Sequence, residues 1–488
     1  GGGARSGGGS AAGGGARSGG GSAAGSSARG GGSSAAGGSP RSGGGSAAGR
    51  SPRSGGGSAA GGRLPADFAS IIRAEAKERG IVIGRERDSE PLAMIPYETE
   101  LELKNAALNR FWHERELPGS PEVFHSAPVP RGYRSTSKRR VVSRNGKWYL
   151  VLDPGASPAS FAELSSLEPA HHGAIFSWIA RMINEPSCRV VGEGLNFVIV
   201  RESEGKGCVI LNFHTLNASV IRGVKRMAGE LEKSGLSILS LFTFHDPSRS
   251  LYYMEADRPG KGQDLRKIAG PPYLLLRVPG YRFFYGPTVF SQVNPYILPD
   301  FLSVMKSSLP GPSVGRIIDL YCGYGLLGIA LSADAAEVYG IEANAEAIRN
   351  AVGNAEHADE KYEGRGGEKA TGHTENRPGG RCRFHYRTAD ITAAAMDKLL
   401  PEPGGSEVMI LDPPRGGTER GVVTAAASRN PLLAIHIFCN ADLLGKELDL
   451  WKRSGYRVGK AVPFDMFPGT TNCETVVFLE RDMGGVEG

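Results

Sequence analysis

No run of 18 or more apolar residues occurs in this 488-residue chain, so no segment reads as a membrane-spanning helix. No CxxC pair occurs either. The six cysteines (Cys188, Cys208, Cys322, Cys382, Cys439 and Cys473) stand singly, which removes the usual spacing for zinc or an iron–sulfur cluster. Their low density points to a reducing compartment. His171 and His172 are adjacent, but no carboxylate or cysteine stands at ligand spacing from them, so they read as the start of a helix or as surface residues. Residues 1–62 contain no Leu, Ile, Val, Phe, Trp or Tyr and no acidic residue. Nothing in that segment can offset the entropy of ordering it, so it is expected to be a disordered tail.

That tail repeats every twelve residues, with Arg5, Arg17, Arg29, Arg41 and Arg53 in register. It reads either as repeat expansion in a tolerated segment or as a weak, salt-sensitive RNA-binding arm. It is rich in Arg and Ser, as organellar transit peptides are, but lacks their amphipathic apolar face. The chain begins with Gly rather than Met, as a fragment, a processed form or an incomplete gene model would. The net charge of +6 is the tail's six arginines. The remainder is neutral overall, so any nucleic-acid footprint there must be a local patch.

From Arg63 the composition changes, and residues 63–285 are expected to form a smaller α+β RNA-binding region. Residues 66–79 and about 100–116 have helical periodicity. RRVVS and KWYLVL flank Arg144-Asn145-Gly146, a hairpin signature. The strand entering it carries Arg131, Arg134, Lys138, Arg139 and Arg140 with Tyr133 among them. Basic side chains beside an aromatic suit a phosphate backbone and an unstacked base, although a solvated basic edge strand has the same composition. Residues 170–285 then alternate several strands with one clear amphipathic helix, ASVIRGVKRMAGELEKSG.

Residues 286–488 read as βα repeats, a Rossmann-like α/β domain with a polar, Gly-rich insertion at 357–381 expected to be mobile. Its organising stretch is RIIDLYCGYGLLGIALSADAAEVYGIEAN, residues 316–344: strand, glycine turn, helix, strand and a closing acid. Asp319 and Glu342 lie 23 residues apart, near the roughly 20 expected for an acid that meets a ribose diol. The turn is not GxGxxG and holds Asp319, which disfavours a pyrophosphate and favours a phosphate-free nucleoside such as S-adenosylmethionine over NAD. In an open α/β sheet, ligands gather at the carboxyl ends of the strands. Those ends carry Asp319, Glu342, Asp390, Asp412 and Cys439. Cys439 precedes a helix-like run, where a helix N-terminus would lower its pKa, although a cysteine closing a strand also serves as a small buried hydrophobe.

Taken together, FSQVNP, DLYCGYG, GIEAN, LDPPRGG, FCN and PFDMFPGTTNCE resemble the RNA (uracil-5-)-methyltransferase family, in its motif order, over roughly residues 125–482. The resemblance implies a class I methyltransferase that uses S-adenosylmethionine to make 5-methyluridine in tRNA or ribosomal RNA. It implies Cys439 as the nucleophile that adds to carbon 6 of uracil and Glu474 as the base that removes the carbon-5 proton. It also implies cofactor contacts from Tyr321, Glu342 and Asp390. Asp412 would hold the uracil edge or the reacting end of the cofactor, and Gln292 the cofactor or the base. The target uridine must leave its stack. The chain departs from the family pattern at Leu326 (usually Asn), at Phe438 and Ala441 around the Cys-Asn pair, and at Asn472-Cys473 before Glu474. It also lacks the family's β-barrel RNA-binding domain and its cluster cysteines, which favours tRNA over ribosomal RNA.

The expectation is therefore an RNA uridine carbon-5 methyltransferase acting on RNA as a monomer, without membrane or metal cluster, inside the cell with the cytoplasm favoured. Three rivals remain. One is an RNA methyltransferase acting on another base. Another is an inactive RNA-binding protein of the same fold. The third is an NAD-linked oxidoreductase, disfavoured by Asp319.

Overall fold

The computed structural model describes residues 66–85, 89–152, 165–248, 264–311, 314–358 and 382–482. The expected tail, 1–62, and all but the first two residues of the expected insertion, 357–381, lie outside them.

Helices α1 (Phe68–Glu78) and α2 (Tyr97–Glu114) precede a hairpin of β1 (Thr136–Arg144) and β2 (Lys147–Val151). The hairpin turn puts Asn145 and Gly146 at φ +49° and +73°, as a tight two-residue turn requires. Helices α3 (Ala170–Met182) and α4 (Arg189–Gly194) lead to β3 (Leu195–Ser203) and β4 (Lys206–Phe213). Helix α5 (Ala218–Glu232) crosses to β5 (Ile238–His245), and β6 (Asp264–Ala269) ends the first sheet. Its order is β2-β1-β3-β4-β5-β6, with β4 and β5 parallel and the other pairs antiparallel. Asn217 caps α5 by accepting from the amides of Ser219 and Val220, and Val220, Val224, Met227 and Leu231 face the sheet. Helices and mixed strands give this part of the chain the expected α+β class. A ribbon of β7 (Leu274–Val278) and β8 (Tyr281–Tyr285) follows.

The C-terminal part begins with α6 (Leu298–Ser307), β9 (Arg316–Leu320), α7 (Leu326–Leu331), β10 (Glu337–Glu342), α8 (Ala345–His357) and β11 (Arg383–Thr388). It continues with α9 (Ala393–Leu399), β12 (Glu407–Leu411), α10 (Val422–Ser428), β13 (Leu433–Phe438), α11 (Leu444–Arg453), β14 (Tyr456–Phe464) and β15 (Glu474–Arg481). The sheet order is β11-β10-β9-β12-β13-β15-β14. All pairs are parallel except those of β15, which runs antiparallel between β13 and β14. The expected terminal hairpin is thus present, with its last strand inserted into the sheet.

Strand alternation gives the sheet two apolar faces. Ile317, Val338, Val408, Ile410 and Ile435 join α6, α7 and α8 in one core. Ile318, Leu320, Ile341, Met409 and Leu411 join the other, which is covered by α9, α10 and α11 and also by α1 and α2. The first two helices therefore pack on the C-terminal sheet, although they precede the smaller domain in sequence. Among the described residues no helix is long and apolar enough to cross a membrane.

A buried charge network fastens α2 to the loop between β14 and β15. Lys104 Nζ donates to Glu100 Oε1 at 2.8 Å, Asp465 Oδ1 at 2.7 Å and the Phe467 carbonyl at 3.3 Å. Glu100 also takes the Gly469 amide at 2.5 Å and Arg131 Nη2 at 3.0 Å. Lys104, Glu100 and Asp465 are fully buried, so losing the lysine takes the cation from Asp465 and leaves Glu100 with Arg131 as its cation. Lys104→Ala is expected to lower the unfolding free energy by about 3–5 kcal/mol. In the same urea titrations Lys460→Ala, which removes an exposed 3.6 Å pair with Glu122, is expected to cost under about 1 kcal/mol.

Candidate active site

The strand-to-helix turn after β9 is bent sharply. Tyr321 sits at φ +66°, Gly323 at +54° and Gly325 at +87°. A left-handed tyrosine is strained, at roughly 1–3 kcal/mol. The amides of Tyr321 and Cys322 hold the bend by donating to the Ile341 carbonyl at 2.9 and 3.2 Å. A Cβ on Gly323 would meet no heavy atom within 4 Å, so the space beside the turn is open to a ligand. Leu326, where the family pattern has Asn, is buried at the start of α7.

Asp319 does not face that opening as a free charge. Its Oδ2 accepts the Gly328 amide of α7 at 2.8 Å, and the side chain is wholly buried. Burial pushes its carboxyl up to about 7, opposed by that amide and reinforced by Asp412 and Glu342. A Cβ at Gly328 would lie 2.8 Å from the same oxygen, so this contact requires glycine. Glu342, ending β10, accepts the Asn344 amide at 2.8 Å and the Gly323 amide at 3.3 Å, which ties it to the glycine turn. Asp390 is exposed two residues past β11, beside Glu342 through the bond from the Ala389 amide to the Glu342 carbonyl, 3.0 Å.

A second cluster lies at the ends of β12, β13 and β15. Asp412 follows β12 and receives Gln292 Nε2 at 3.4 Å. Cys439 follows β13, whose last residue, Phe438, pairs with Thr475 next to Glu474 on β15. Burial pushes the Asp412 carboxyl up to about 7, with Glu342 adding to it. Glu474 is raised well above the carboxylate range by burial and then by Asp412, against Arg415. Its Oε2 is buried without a hydrogen-bond partner among the described residues. The Cys439 thiol is pushed up to about 12, first by burial and then by Glu474 and Asp412, with Arg415 opposing. This corrects the expectation of a thiol acidified by a helix N-terminus. Residues 441–443 form a 3₁₀ turn, and α11 begins only at Leu444, so no helix start reaches the sulfur. Cys439 is nevertheless half-buried, whereas the other five cysteines are buried.

Gln292 lies on the segment joining the smaller domain to the C-terminal one, and both sides grip that segment. Arg201, buried at the end of β3, donates to the Pro287 and Val289 carbonyls, both at 2.7 Å, and to Ser291 Oγ at 2.7 Å. From α8, Glu346 takes the Thr288 hydroxyl at 2.7 Å and Asn350 the Gly286 amide at 2.8 Å. Ser135 Oγ donates to the Gln292 carbonyl at 3.2 Å. Sequence reasoning missed Arg201, Lys104 and the electrostatic part of Arg415. A buried arginine inside a strand pattern is the one signal that could have shown the first.

Of the basic stretch, read either as RNA-facing or as a solvated edge strand, three side chains are structural. Tyr133 is fully buried and donates to the Pro468 carbonyl at 3.0 Å. Arg139 is buried in a two-pronged pair with Glu168 at 2.8 and 2.5 Å, and Arg131 binds backbone carbonyls of residues 92–95 and Glu100. Strand β1 is also internal, between β2 and β3, rather than an edge. Arg134 and Arg140 remain partly exposed, and Lys138 is exposed.

Residues 281–371 match the family model of the methyltransferase small domain. An uncharacterized RNA methyltransferase of Thermosynechococcus vestitus is 29% identical over 219 residues, 45% of this chain and 43% of that protein. The match therefore spans less than half of that relative. One from Geobacter sulfurreducens is 25% identical over 412 residues, 81% of this chain and 76% of the relative. Among solved structures, the Pyrococcus abyssi tRNA (uracil-54, C5)-methyltransferase in complex with S-adenosyl-L-homocysteine superposes with a TM-score of 0.58 and 18% identity, covering 80% of this chain and 86% of that one. The chain is related to RNA methyltransferases. Its C-terminal domain has the Rossmann-like class I methyltransferase fold, with the smaller α+β domain before it.

Alkylation tests the electrostatics of this cluster. With iodoacetamide at pH 8, Cys439 is expected to react more slowly than an unperturbed thiol, and its rate to rise with pH toward about 12. Asp412→Asn and Glu474→Gln remove groups that raise the thiol, so each moves the rate profile to lower pH. Peptide mass spectrometry over a pH series reads this directly.

Proposed function

We propose that the chain methylates carbon 5 of a uridine in RNA, with tRNA the favoured substrate and S-adenosylmethionine the methyl donor. The observation that carries the reading is the convergence of Cys439, Glu474, Asp412 and Gln292 at one end of the sheet, beside the open glycine turn and Glu342. A thiol and a base on one face of a base-sized site answer the need of uracil, whose carbon 5 is a poor nucleophile until carbon 6 carries an adduct.

Tyr321, Gly323, Glu342 and Asp390 would hold the cofactor, Glu342 through the ribose hydroxyls and Asp390 near the adenine. Bound S-adenosylmethionine supplies an electrophilic methyl group. The Cys439 thiol gives up its proton to solvent as its sulfur bonds to carbon 6, and the carbon 5–carbon 6 electron pair moves into an enolate that makes carbon 5 nucleophilic. Asp412 and Gln292 hold the polar edge of the ring. After methylation, Glu474 takes the carbon-5 proton, the carbon 6–sulfur bond breaks, and the thiolate returns. Once ionised, a carboxylate held above its ordinary range is a stronger base for that proton. The single thiols suit a reducing, intracellular setting, and the chain needs no second copy for this chemistry.

Nucleoside mass spectrometry on unmodified tRNA and ribosomal RNA, incubated with protein and S-adenosylmethionine, is the test. The native chain is expected to form 5-methyluridine and Cys439→Ala none. Glu474→Gln is expected to accumulate a denaturation-resistant protein–RNA adduct, because the adduct cannot be resolved. Methyl transfer to another base removes the uridine reading. Cofactor binding without turnover on any RNA favours an inactive RNA-binding protein.

A further inference from the structure

One group of donor atoms takes no part in the proposed chemistry. His171 and His172 open α3, and Glu202 stands near the end of β3. One ring nitrogen of each histidine and a carboxylate oxygen of Glu202 lie within 4.8 Å of one another. We propose that His171, His172 and Glu202 form a binding site for a divalent transition-metal ion, zinc by its donor set.

The fold brings together what the sequence keeps thirty residues apart, which is why ligand spacing is not visible in the chain. Strand β1 pairs with β3 and α3 packs across both, so the start of the helix meets the end of the strand. His172 is fully buried, with Nδ1 fixed against the Ser137 hydroxyl at 2.8 Å. Nε2 of both histidines is buried without a hydrogen-bond partner among the described residues. Glu202 Oε2 stands 3.7 Å from His171 Nε2, beyond hydrogen-bond length. Buried polar nitrogens left unpaired are costly. A cation that accepts lone pairs satisfies both histidines and the carboxylate at once.

Two imidazoles and a carboxylate are a familiar zinc donor set, with a fourth position left for water. Donors around tetrahedral zinc lie about 3.3 Å apart, so binding must draw this group inward. His171 and Glu202, with 27% and 15% of their side chains exposed, have the freedom to do so and give the ion a way in. The nearby Arg139 is paired with Glu168 and acts on His172 less than burial and His171 do. The site also lies near the segment that carries Gln292. The Glu202 amide donates to the Ser135 carbonyl at 2.7 Å, and the Ser135 amide to the Val293 carbonyl at 2.8 Å. A bound ion would clip α3 to the strand that supports this segment.

The test uses the full-length protein, stripped with EDTA and titrated calorimetrically with zinc sulfate. One zinc per chain is expected, retained in Cys439→Ser, so that the thiol is excluded as the ligand. Glu202→Gln and His171→Gln, both at partly exposed positions and checked for folding by circular dichroism, are each expected to weaken uptake by about tenfold or more. Cobalt(II) substitution should give the visible absorption of a tetrahedral nitrogen–oxygen site, lost in the same two variants. No uptake up to millimolar zinc overturns the proposal. Uptake unchanged in both folded variants, or lost only with Cys439→Ser, overturns it as well.

Discussion

Carboxyl groups crowded at the buried end of a parallel sheet are the constraint on which the rest of this molecule depends. Asp319 and Asp412 follow one another across the adjacent strands β9 and β12, and Glu474 stands beyond them on β15. Each is raised above the carboxylate range, in every case chiefly by burial. Of the groups acting on Glu474 and Cys439, Arg415 is the one that opposes the accumulated negative charge. Such a site does not stabilise itself. Its supports are paired elsewhere: Lys104 between two carboxylates, Arg139 with Glu168, and Arg201 among four oxygen acceptors.

The C-terminal architecture was legible because local signals and topology agree there. Ile317 and Ile318, the turn glycines and the acid at Glu342 are neighbours in sequence and remain neighbours in space. The pairing of Cys439 with Glu474 is different. They lie 35 residues apart and meet because β15 inserts between β13 and β14, so a motif resemblance could name the pair while periodicity could not. The acidified thiol failed, and part of the basic strand proved structural, for one reason. Both were inferred from charge and helical pattern in one dimension. Burial decides the Cys439 thiol, and tertiary partners claim Arg131, Tyr133 and Arg139. Lys104 shows the same limit: on α2 it reads as an ordinary i, i+4 pair with Glu100, and Asp465 is 361 residues away.

These long-range contacts tie the βα repeats to the chain that precedes them. The loop preceding Glu474 has no strand partner of its own between Asp465 and Cys473, and α2 fixes it through Lys104 and Glu100, with Tyr133 holding Pro468. The Gln292 segment is likewise held between Arg201 on one side and α8 on the other. Two of the residues proposed to meet the uracil are therefore supported by parts of the chain outside the βα repeats. The βα repeats alone would keep the glycine turn and lose these supports of Glu474 and Gln292.

The high position of the Cys439 thiol bears on the proposed chemistry in one further way. A nucleophile held protonated in the resting protein is protected from oxidants and stray electrophiles, because thiolate character governs both reactions. The thiol is raised first by burial and then by two carboxyls, so neutralising Asp412 or Glu474 lowers it only in part. A uracil edge that donates a hydrogen bond to Asp412 would offset part of that charge where Cys439 feels it. The groups proposed to recognise the base thus add to the burial that holds the thiol up.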